Sequence, residues 1–467
     1  MKGRMQKIST PSDNYHGTNR TASENYYGVQ TFMGIAENHL TEVHFTKDDL
    51  LEQILSPTNL NQAYKQVVSN KGSGGIDGLC TEDLLPWLLL HKEELTTSIK
   101  SGKYVPNPVR RVEIPKESGK KRLLGIPSVI DRFVQQSIAQ VLSPIYEPEF
   151  SDSSYGFRPH RSCYDALRCA QSHINQGYKY VVDLDLEKFF DTVNHSRLIE
   201  LLSKRITDGR VVSLIHKYLL AGVMIGSSFA YTHTGVPQGG PLSPLLSNIM
   251  LNELDKELER RGHPFVRYAD DSLIFCKSKR AAERTRVSII RFIEDVLYLR
   301  VNQEKTSVGY VRGKKFLGYS FYFKSGECRL IVHPKSWKKF KSKLKELTSR
   351  SNGMGYEQRK HSLRYFIMGW LEYFQHSDMK SKLQELDEWY RRRLRMCIWK
   401  CWKKVRTRFK NLIKCGIDKR KAWEWANTRK GYWHISDSFI LNRALNNDNL
   451  RRANYPFLMD CYRKVVS

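Results

Sequence analysis

The sequence predicts an α+β fold followed by an all-helical region, and two patterns support this prediction. Between about residues 105 and 325, short β-type runs such as YKYVVDLDL and KKFLGYSFYF alternate with helical stretches. Beyond residue 335 the β-type runs stop, and LRYFIMGWLEYF places apolar residues on one helical face, typical of a packed core helix. That face consists of Leu363, Phe366, Ile367, Trp370, Leu371 and Phe374. A chain of 467 residues is also too long for one ordinary core, so we expect two or three domains.

The composition favours a polyanionic partner. The chain carries 77 Lys and Arg against 48 Asp and Glu, a formal net charge of +29, which makes nucleic acid the first partner to consider. The longest apolar run, LLPWLLL at 84–90, is far shorter than the roughly 20 residues that span a membrane, and no secretion signal opens the chain. The 9 cysteines lack paired spacing, which favours a reducing compartment. Cys397 and Cys401 have no second pair after them, so we interpret them as thiols rather than zinc ligands.

The N-terminal part predicts a leader followed by helices. Residues 1–44 show no helical or strand period, so we expect a flexible leader. Order is predicted to begin behind Thr46, a candidate cap, where Leu50, Leu51, Ile54 and Leu55 repeat at helical spacing. The glycine-rich stretch NKGSGGIDG at 70–78 lacks the Gly-Lys-Ser/Thr ending of a phosphate loop, which favours an ordinary flexible connection.

Two adjacent carboxylates interrupt an apolar run. In FVRYADDSLIF, residues 265–275, Asp270 and Asp271 stand between two strand-like segments. A two-residue hairpin turn would explain one acid, because Asp tolerates the left-handed backbone angles of such turns. It explains two acids poorly, because like charges this close repel and raise one pKa.

A second acidic strand offers a partner for this pair. In YKYVVDLDLEKFFD, the alternation of a strand places Asp183 and Asp185 on one face and the apolar residues on the other. If this strand lies beside the hairpin, three carboxylates converge and need cations to neutralise them. Two Mg²⁺ ions about 4 Å apart would suit such oxygen ligands and would direct phosphoryl or nucleotidyl transfer. A solvated acidic loop is the alternative.

Six further stretches extend the pattern around Tyr268-Ala269-Asp270-Asp271. They are VRRVEIPKESGKKRLLGIPSVIDRFVQQ (109–136), SYGFRPHRSCYDAL (154–167), DLEKFFDTVNH (185–195), GVPQGGPLSPLLSNIMLNELD (235–255), NQEKT (302–306) and KKFLGYSF (314–321). In this order the set resembles the successive blocks of reverse transcriptases. MGWLEYF and ANTRKGYWHIS further resemble the thumb and maturase region of the bacterial group II intron-encoded reverse transcriptases and maturases. The resemblance covers roughly residues 45–450.

The resemblance implies a right-hand polymerase with fingers and a palm built on an antiparallel sheet, then an all-α thumb and a basic C-terminal region. The implied domains are the leader 1–44, an N-terminal extension of the fingers 45–105, fingers and palm 106–325, a helical thumb or maturase domain 326–385 and a basic helical RNA- and DNA-binding region 386–467.

The resemblance also implies roles for individual residues. Asp185, Asp270 and Asp271 match the catalytic, metal-binding carboxylates. The residues implied to bind the nucleotide are Lys116, Arg122, Phe190 and Gln238. Those implied to contact primer or template are Arg158, Gly239, Lys305, Leu317 and Gly318. The ring of Phe190 would exclude a 2′-hydroxyl, although one member of the pair Phe189-Phe190 is expected in the core. Leu123 stands where relatives often carry Pro.

The C-terminal region combines cations with aromatic rings. Residues 391–430 hold 16 Lys and Arg against 2 acids, and six of the 9 tryptophans lie between 389 and 433. Cations track phosphates and rings stack on unpaired bases, although we expect about half of these tryptophans to be core. No Cys-x-x-Cys pair or His-Asn cluster follows residue 435, so we expect no nuclease domain of the kind that many relatives append, as in the group IIC-like subgroup.

The function implied is RNA-directed DNA synthesis with two Mg²⁺ ions, or Mn²⁺ in their place, together with binding of intron RNA to assist splicing and retrohoming. The implied partners are group II intron RNA, an RNA template with a DNA or RNA primer, deoxynucleotides and target DNA, with a homodimer as a further form and no membrane. The implied location is the bacterial cytoplasm or nucleoid. Two alternatives stay open: a maturase that only assists splicing, and a host-adopted reverse transcriptase acting in DNA repair. The presence of all three carboxylates favours the polymerase.

Overall fold

The computed structural model describes residues 49–115 and 121–466. These residues form two compact units. The larger unit comprises residues 49–115, 121–346 and 376–388, and the smaller unit comprises residues 347–375 and 389–466. The predicted leader and Thr46 lie outside the described residues, as does Lys116.

The larger unit mixes helices and strands, as predicted. Its first half contains α1 (Leu50–Ile54), α2 (Pro57–Ser69), α3 (Leu84–Lys100), β1 (Val109–Pro115), β2 (Lys121–Ile126), α4 (Val129–Tyr146), α5 (Cys163–Asn175), β3 (Tyr180–Leu184), α6 (Phe189–Thr192), α7 (His195–Ser203), α8 (Gly209–Leu220), β4 (Val223–Ile225), β5 (Ser228–Ala230) and α9 (Ser243–Arg260). Its second half contains β6 (Phe265–Tyr268), β7 (Asp271–Cys276), α10 (Lys279–Asp295), β8 (Ser307–Tyr310), β9 (Lys315–Phe316), β10 (Tyr319–Lys324), β11 (Glu327–Val332) and α11 (Pro334–Leu347).

The strands form three sheets. The first has the order β2-β1-β4-β5, the second β6-β7-β3-β8 and the third β11-β10-β9. The second sheet is antiparallel throughout, which confirms the predicted antiparallel sheet. Its central strand β3 buries Val182 and Leu184 in a core that also contains Ile289 and Ile293 of α10. One face of β3 is thereby committed to the core, and the alternation leaves its acidic residues on the other face.

The N-terminal helices follow the predicted apolar pattern. Leu50, Leu51, Ile54 and Leu55 are all buried. Pro57 then starts a second helix, because proline has no N–H to donate and suits the first turn, and the hydroxyl of Ser56 caps that helix.

The glycine-rich stretch at 70–78 connects α2 to the segment before α3, and two of its residues contact the start of α4. A Cβ on Gly75 would lie 2.5 Å from Cα of Ser128, the N-cap of α4. Arg132, in the first turn of α4, donates from Nη2 to the carbonyl of Ser73 at 2.6 Å. The glycine at position 75 is required because backbone passes directly over the start of α4.

The larger unit extends past residue 325, where the sequence predicted the fingers and palm to end. Strand β11 pairs along the full length of β10. It is also tied to α5, since Gln171 donates to the carbonyl of Cys328 at 3.0 Å and Asn175 accepts from its N–H at 2.8 Å. These bonds place the third sheet within the larger unit.

The described part of the smaller unit contains no strand. Its helices are α12 (Tyr356–Phe374), α13 (Lys380–Cys401), α14 (Val405–Lys414), α15 (Lys419–Ala426), α16 (Tyr432–Ile435), α17 (Phe439–Ala444), α18 (Asn447–Arg452) and α19 (Leu458–Val466). The first part of α13, up to Glu388, belongs to the larger unit. Leu363, Ile367, Leu371 and Phe374 of the predicted core stripe on α12 are buried, whereas Phe366 and Trp370 are half-buried. Within the described ranges, no helix combines the length and apolar character needed to cross a membrane.

Candidate active site

The pairing of β3 with β7 brings the predicted carboxylates together. The last paired residues are Leu184 and Ser272, with Asp183 opposite Leu273. One step further along both strands lie Asp185 and Asp271, so these two residues are neighbours at the end of the sheet. Tyr268 pairs with Asp271 across the hairpin, which leaves Ala269 and Asp270 as its two-residue turn. The hairpin therefore lies beside the acidic strand, which meets the condition for the carboxylates to converge.

The turn itself needs neither acid. The residue with left-handed backbone angles is Ala269, with φ +56°, whereas neither aspartate has a positive φ. A β-carbon makes this conformation unfavourable, and Ala has no side-chain oxygen to compensate. The expectation that turn geometry explains one of the two acids is therefore wrong, and Asp270 and Asp271 call for a chemical reason.

Asp185 is held by the segment 302–306. Its carbonyl accepts from the N–H of Asn302 at 2.9 Å, and its N–H donates to the hydroxyl of Thr306 at 3.1 Å. Nζ of Lys305 lies 3.2 Å from both carboxylate oxygens of Asp185. Lys305, expected at the primer or template, therefore serves here as the counter-charge of Asp185.

Burial and neighbouring carboxylates raise the pKa of two acids in this cluster. Loss of hydration raises the pKa of Asp271 to about 7, and repulsion from Asp270, Asp185 and Asp183 acts in the same direction. This occurs although the Asp271 side chain keeps contact with solvent. Loss of hydration also raises the pKa of Asp183, while Lys314, whose Nζ lies 3.8 Å from Asp183 Oδ2, opposes that rise. Asp183 is thus a fourth carboxylate in the same field.

The donor set suits a hard divalent cation. Carboxylate oxygens are the ligands that Mg²⁺ prefers, and a cation would relieve the repulsion that raises the pKa of Asp271. Among the described His, Cys, Asp and Glu side chains, no group of three or more is already arranged to hold a metal ion. Substrate phosphates and water commonly complete the coordination of Mg²⁺, so a fully preformed protein cage is not required.

Phe190 and Gln238 lie on segments that are joined to each other. Phe189 is buried and Phe190 is half-buried, so one member of the aromatic pair is core, as predicted. The carbonyl of Phe190 accepts from the N–H of Val236 at 2.6 Å, which links α6 to the stretch that contains Gln238. The carbonyl of Gln238 accepts from the N–H of Gly125 at 2.8 Å, which joins that stretch to β2.

The glycines after Gln238 allow close approach within the protein. Gly239 has φ +126°, and a Cβ there would lie 2.3 Å from the carbonyl oxygen of Gly125. Gly239, which the resemblance implies contacts primer or template, thus leaves room for the backbone of strand β2. Arg122 lies on β2 opposite Ile114.

The remaining residues expected at primer or template occupy different environments. Arg158 is buried, and its guanidinium donates to Glu147 and to the carbonyls of Ser151 and Ser154. A direct contact with nucleic acid would require Arg158 to leave this network. Leu317 and Gly318 form the two-residue turn between β9 and β10, with φ values of +49° and +81°.

The structure adds a buried pair, Arg267 and Asp255, that the motifs did not single out. Nε of Arg267 donates to Oδ1 of Asp255 at 2.8 Å, and both side chains are enclosed. A signal was present, because Arg267 is the one charged residue among the apolar residues that precede Tyr268 in β6.

The tryptophans of the basic C-terminal region divide as predicted. Trp399, Trp402 and Trp425 are buried, Trp389 is half-buried, and Trp423 and Trp433 are 59% and 40% exposed. The guanidinium of Arg392 lies over the ring of Trp433 at 4.0 Å, and Phe409 meets Trp423 edge-on at 5.7 Å.

An antiparallel sheet whose neighbouring strands end in clustered carboxylates is the arrangement of a nucleotidyl-transferring polymerase. The family model for "Reverse transcriptase (RNA-dependent DNA polymerase)" matches residues 114–321, and that for "Group II intron, maturase-specific domain" matches residues 337–416. The chain belongs to the family of group II intron-encoded reverse transcriptases and maturases, whose polymerases are RNA-directed and use divalent metal ions.

Individual relatives agree with this assignment. Protein YkfC of Escherichia coli is 35% identical over 326 residues, covering 60% of this chain and 86% of that protein. Group II intron-encoded protein LtrA of Lactococcus lactis is 32% identical over 357 residues, covering 61% of this chain and 58% of that protein. Among solved structures, a chain of a "Partial Cas6-RT-Cas1--Cas2 complex" aligns with 54% of this chain and 43% of its own length, at 25% identity and a TM-score of 0.34.

Proposed function

We propose that this chain adds deoxynucleotides to a primer 3′-hydroxyl on an RNA template, with two Mg²⁺ ions held by Asp185, Asp270 and Asp271. Mn²⁺ is the alternative ion. The register of β3 against β7, which makes Asp185 and Asp271 neighbours, is the observation that carries this proposal. When bound, the ions would lower the pKa of the attacking hydroxyl and stabilise the pyrophosphate that leaves.

Side chains of the site prepare it for metal. Lys305 neutralises Asp185, and the raised pKa of Asp271 means that this carboxylate holds a proton for part of the time near neutral pH. Both arrangements reduce repulsion in the cluster. The ammonium group of Lys305 would also be able to donate to phosphate oxygens of a nucleotide held at Asp185.

Four residues are proposed to hold the incoming nucleotide. Lys116 and Arg122 would contact its phosphates, since both cations bind phosphate oxygens well. Phe190 would exclude a 2′-hydroxyl, and Gln238 would lie near the sugar. The bond from Val236 to the carbonyl of Phe190 supports this pairing, because it holds the two segments together.

Contacts to primer and template are proposed for three further positions. Leu317 and Gly318 would contact the primer end from their turn. Gly239 would shape the protein surface beside the primer end through its contact with Gly125. For Arg158, a supporting role is favoured by the buried bonds of its guanidinium.

Extension of oligo(dT) on poly(rA) tests this proposal. Wild type is expected to incorporate dTTP in Mg²⁺ and to stop when EDTA is added. Asp185→Asn should reduce the rate by at least about a thousandfold, because it removes a carboxylate on which transition-state charge stabilisation depends. Template binding should change little. Full extension by Asp185→Asn would show that the carboxylate is wrongly assigned.

A second activity, binding of intron RNA to assist splicing and retrohoming, is proposed for the basic helices of the smaller unit. Trp423 and Trp433 leave ring faces or edges in solvent among 16 cations between residues 391 and 430. The exposed rings would stack on unpaired bases and the cations would bind phosphates. Target DNA could be bound in the same way. A bacterial cytoplasmic or nucleoid location, and a homodimer, are consistent with this proposal.

The RNA-binding proposal is tested with Trp423→Ala and Trp433→Ala together. Loss of two stacking rings should weaken binding of intron RNA by roughly tenfold or more, since each stacked base contributes about 1–3 kcal/mol. Tyr298→Ala, which removes a 59% exposed aromatic ring from the larger unit, is the control and should bind as wild type does. Equal affinity of the double variant and wild type would refute the proposed surface.

A further inference from the structure

The carboxylate turn rests on a buried polar network. We infer that Arg267, together with Asp255 and Asn248, fixes the backbone of Ala269 and so positions Asp270 and Asp271 for metal binding. Arg267 is in this sense a positioning residue. The inference builds on the proposed roles of the two aspartates, and it assigns a function to side chains that touch neither metal nor substrate.

The guanidinium of Arg267 has partners on each side. Nε donates to Oδ1 and Oδ2 of Asp255 at 2.8 and 3.0 Å, and Nη2 adds a further bond to the same carboxylate. Nη1 donates to Oδ1 of Asn248 at 3.0 Å and to the carbonyl of Ala269 at 3.1 Å. Arg267, Asp255 and Asn248 are 1%, 0% and 1% exposed. One rigid fork therefore connects helix α9 to the turn between β6 and β7.

Residues 153–156 also contact the turn and the network that holds it. Nδ2 of Asn248 donates to the carbonyl of Gly156 at 2.9 Å. A Cβ on Gly156 would lie only 2.3 Å from the backbone nitrogen of Ala269, so this position admits glycine alone. The same segment is bonded to β6. The N–H of Arg267 donates to the carbonyl of Ser153, and the N–H of Tyr155 donates to the carbonyl of Arg267, each at 2.9 Å.

The backbone at Ala269 explains why so many contacts converge. A non-glycine residue at φ +56° is strained, and such a conformation persists only where the surroundings determine it. The carbonyl of Ala269 belongs to the peptide group that leads into Asp270. A hydrogen bond to that oxygen therefore fixes the orientation of the peptide plane next to a metal-binding carboxylate.

Stability alone does not account for the network. A buried ion pair is a poor source of stability, because desolvation of both charges offsets their attraction, and apolar residues of similar volume often stabilise as well or better. What apolar residues cannot supply is a donor to the carbonyl of Ala269. This difference separates a positioning role from a packing role.

The test replaces the ion pair by apolar residues of similar size. Arg267→Met with Asp255→Leu leaves no unpaired buried charge but removes the donor to Ala269. We expect kcat for primer extension to fall about 10- to 100-fold, as for misplaced catalytic groups, and the Mg²⁺ concentration for half-maximal rate to rise severalfold. KM for the deoxynucleotide and the affinity for primer-template should stay within about threefold, since the network touches neither ligand. Arg267→Lys keeps the charge but lacks the planar fork, and should give the same pattern.

Arg210→Met is the matched control, because it breaks an ion pair with another buried acid, Asp208, away from the turn. It should lower the melting temperature and leave the Mg²⁺ dependence unchanged. Unchanged kcat and Mg²⁺ dependence in the folded double variant would overturn the inference. Failure of both Arg267 variants to fold would also overturn it, by assigning the network to folding. Asp270→Asn, assayed in parallel, tests the proposed function separately, since normal activity in that variant would refute the metal site itself.

Discussion

The raised pKa of Asp271 makes Mg²⁺ binding depend on pH. Loss of hydration and repulsion from three neighbouring carboxylates bring this pKa to about 7, so that at pH 6 about nine-tenths of the metal-free molecules carry a proton there. Mg²⁺ must displace that proton, because only the ionised carboxylate is a ligand of this kind. Between pH 8 and pH 6 the apparent affinity for Mg²⁺ is therefore expected to fall about tenfold.

The same pKa sets the stability of the metal-free protein. An unfolded chain releases this proton near pH 4, whereas the folded chain keeps it until about pH 7. The contribution of Asp271 to stability is thus fully present below pH 4 and is lost as the pH rises through 7. The melting temperature without metal should fall from pH 5 to pH 8 through this group, and Mg²⁺ should offset the loss.

Calorimetric titration of Mg²⁺ in two buffers with different ionisation enthalpies measures the released proton directly. Release should be close to one proton per molecule at pH 6 and close to none at pH 8. Asp183→Asn is the informative variant, because it removes one of the charges that raise the pKa of Asp271 and should move the midpoint to lower pH. An affinity for Mg²⁺ that is constant from pH 6 to pH 8 would refute this account of the cluster.

Three other perturbations have defined outcomes. Phe190→Ala should raise incorporation of ribonucleotides relative to deoxynucleotides by at least about tenfold, measured with paired ATP and dATP on poly(rU), because the ring would no longer exclude the 2′-hydroxyl; an unchanged ratio would remove Phe190 from the sugar site. Lys305→Met should tighten Mg²⁺ binding in the absence of nucleotide, because Asp185 loses its counter-charge, and weaker binding would contradict that role. Intron RNA affinity should fall steeply with salt, with log K decreasing by roughly 0.7–0.9 per neutralised phosphate, and a flat response in filter binding would exclude the basic helices as the binding surface.

The sequence predicted the elements whose pattern is local. Strict alternation around Asp183 and Asp185, and the apolar runs flanking Asp270 and Asp271, were sufficient for β3, β6 and β7. The pairing of β3 with β7 was predicted only as a condition for the site, since nothing in either strand specifies its partner. The observed register of β3 against β7 depends on which face of each strand is buried in the core, and that is decided by residues elsewhere in the chain.

Other features could not be predicted because they depend on contacts between distant segments. The left-handed angle at Ala269 is stabilised by Gly156, more than a hundred residues earlier in the chain. Lys305 was expected at nucleic acid, yet it pairs with Asp185, an association that sequence spacing does not reveal. The close approach of Gly75 to the start of α4 could not be predicted either, because glycines that provide freedom and glycines that permit close approach look the same in a sequence.

The central claim is that Asp185, Asp270 and Asp271 act together in nucleotidyl transfer. Single-turnover addition of dTTP to oligo(dT) on poly(rA) in Mg²⁺ tests it most directly, with Asp270→Asn combined with Asp271→Asn. Glu93→Gln combined with Glu94→Gln removes two adjacent exposed acids from α3 and is the control. The aspartate double variant should form no product while binding RNA within a few-fold of wild type, and the glutamate double variant should extend normally. DNA synthesis by the aspartate double variant would contradict the account.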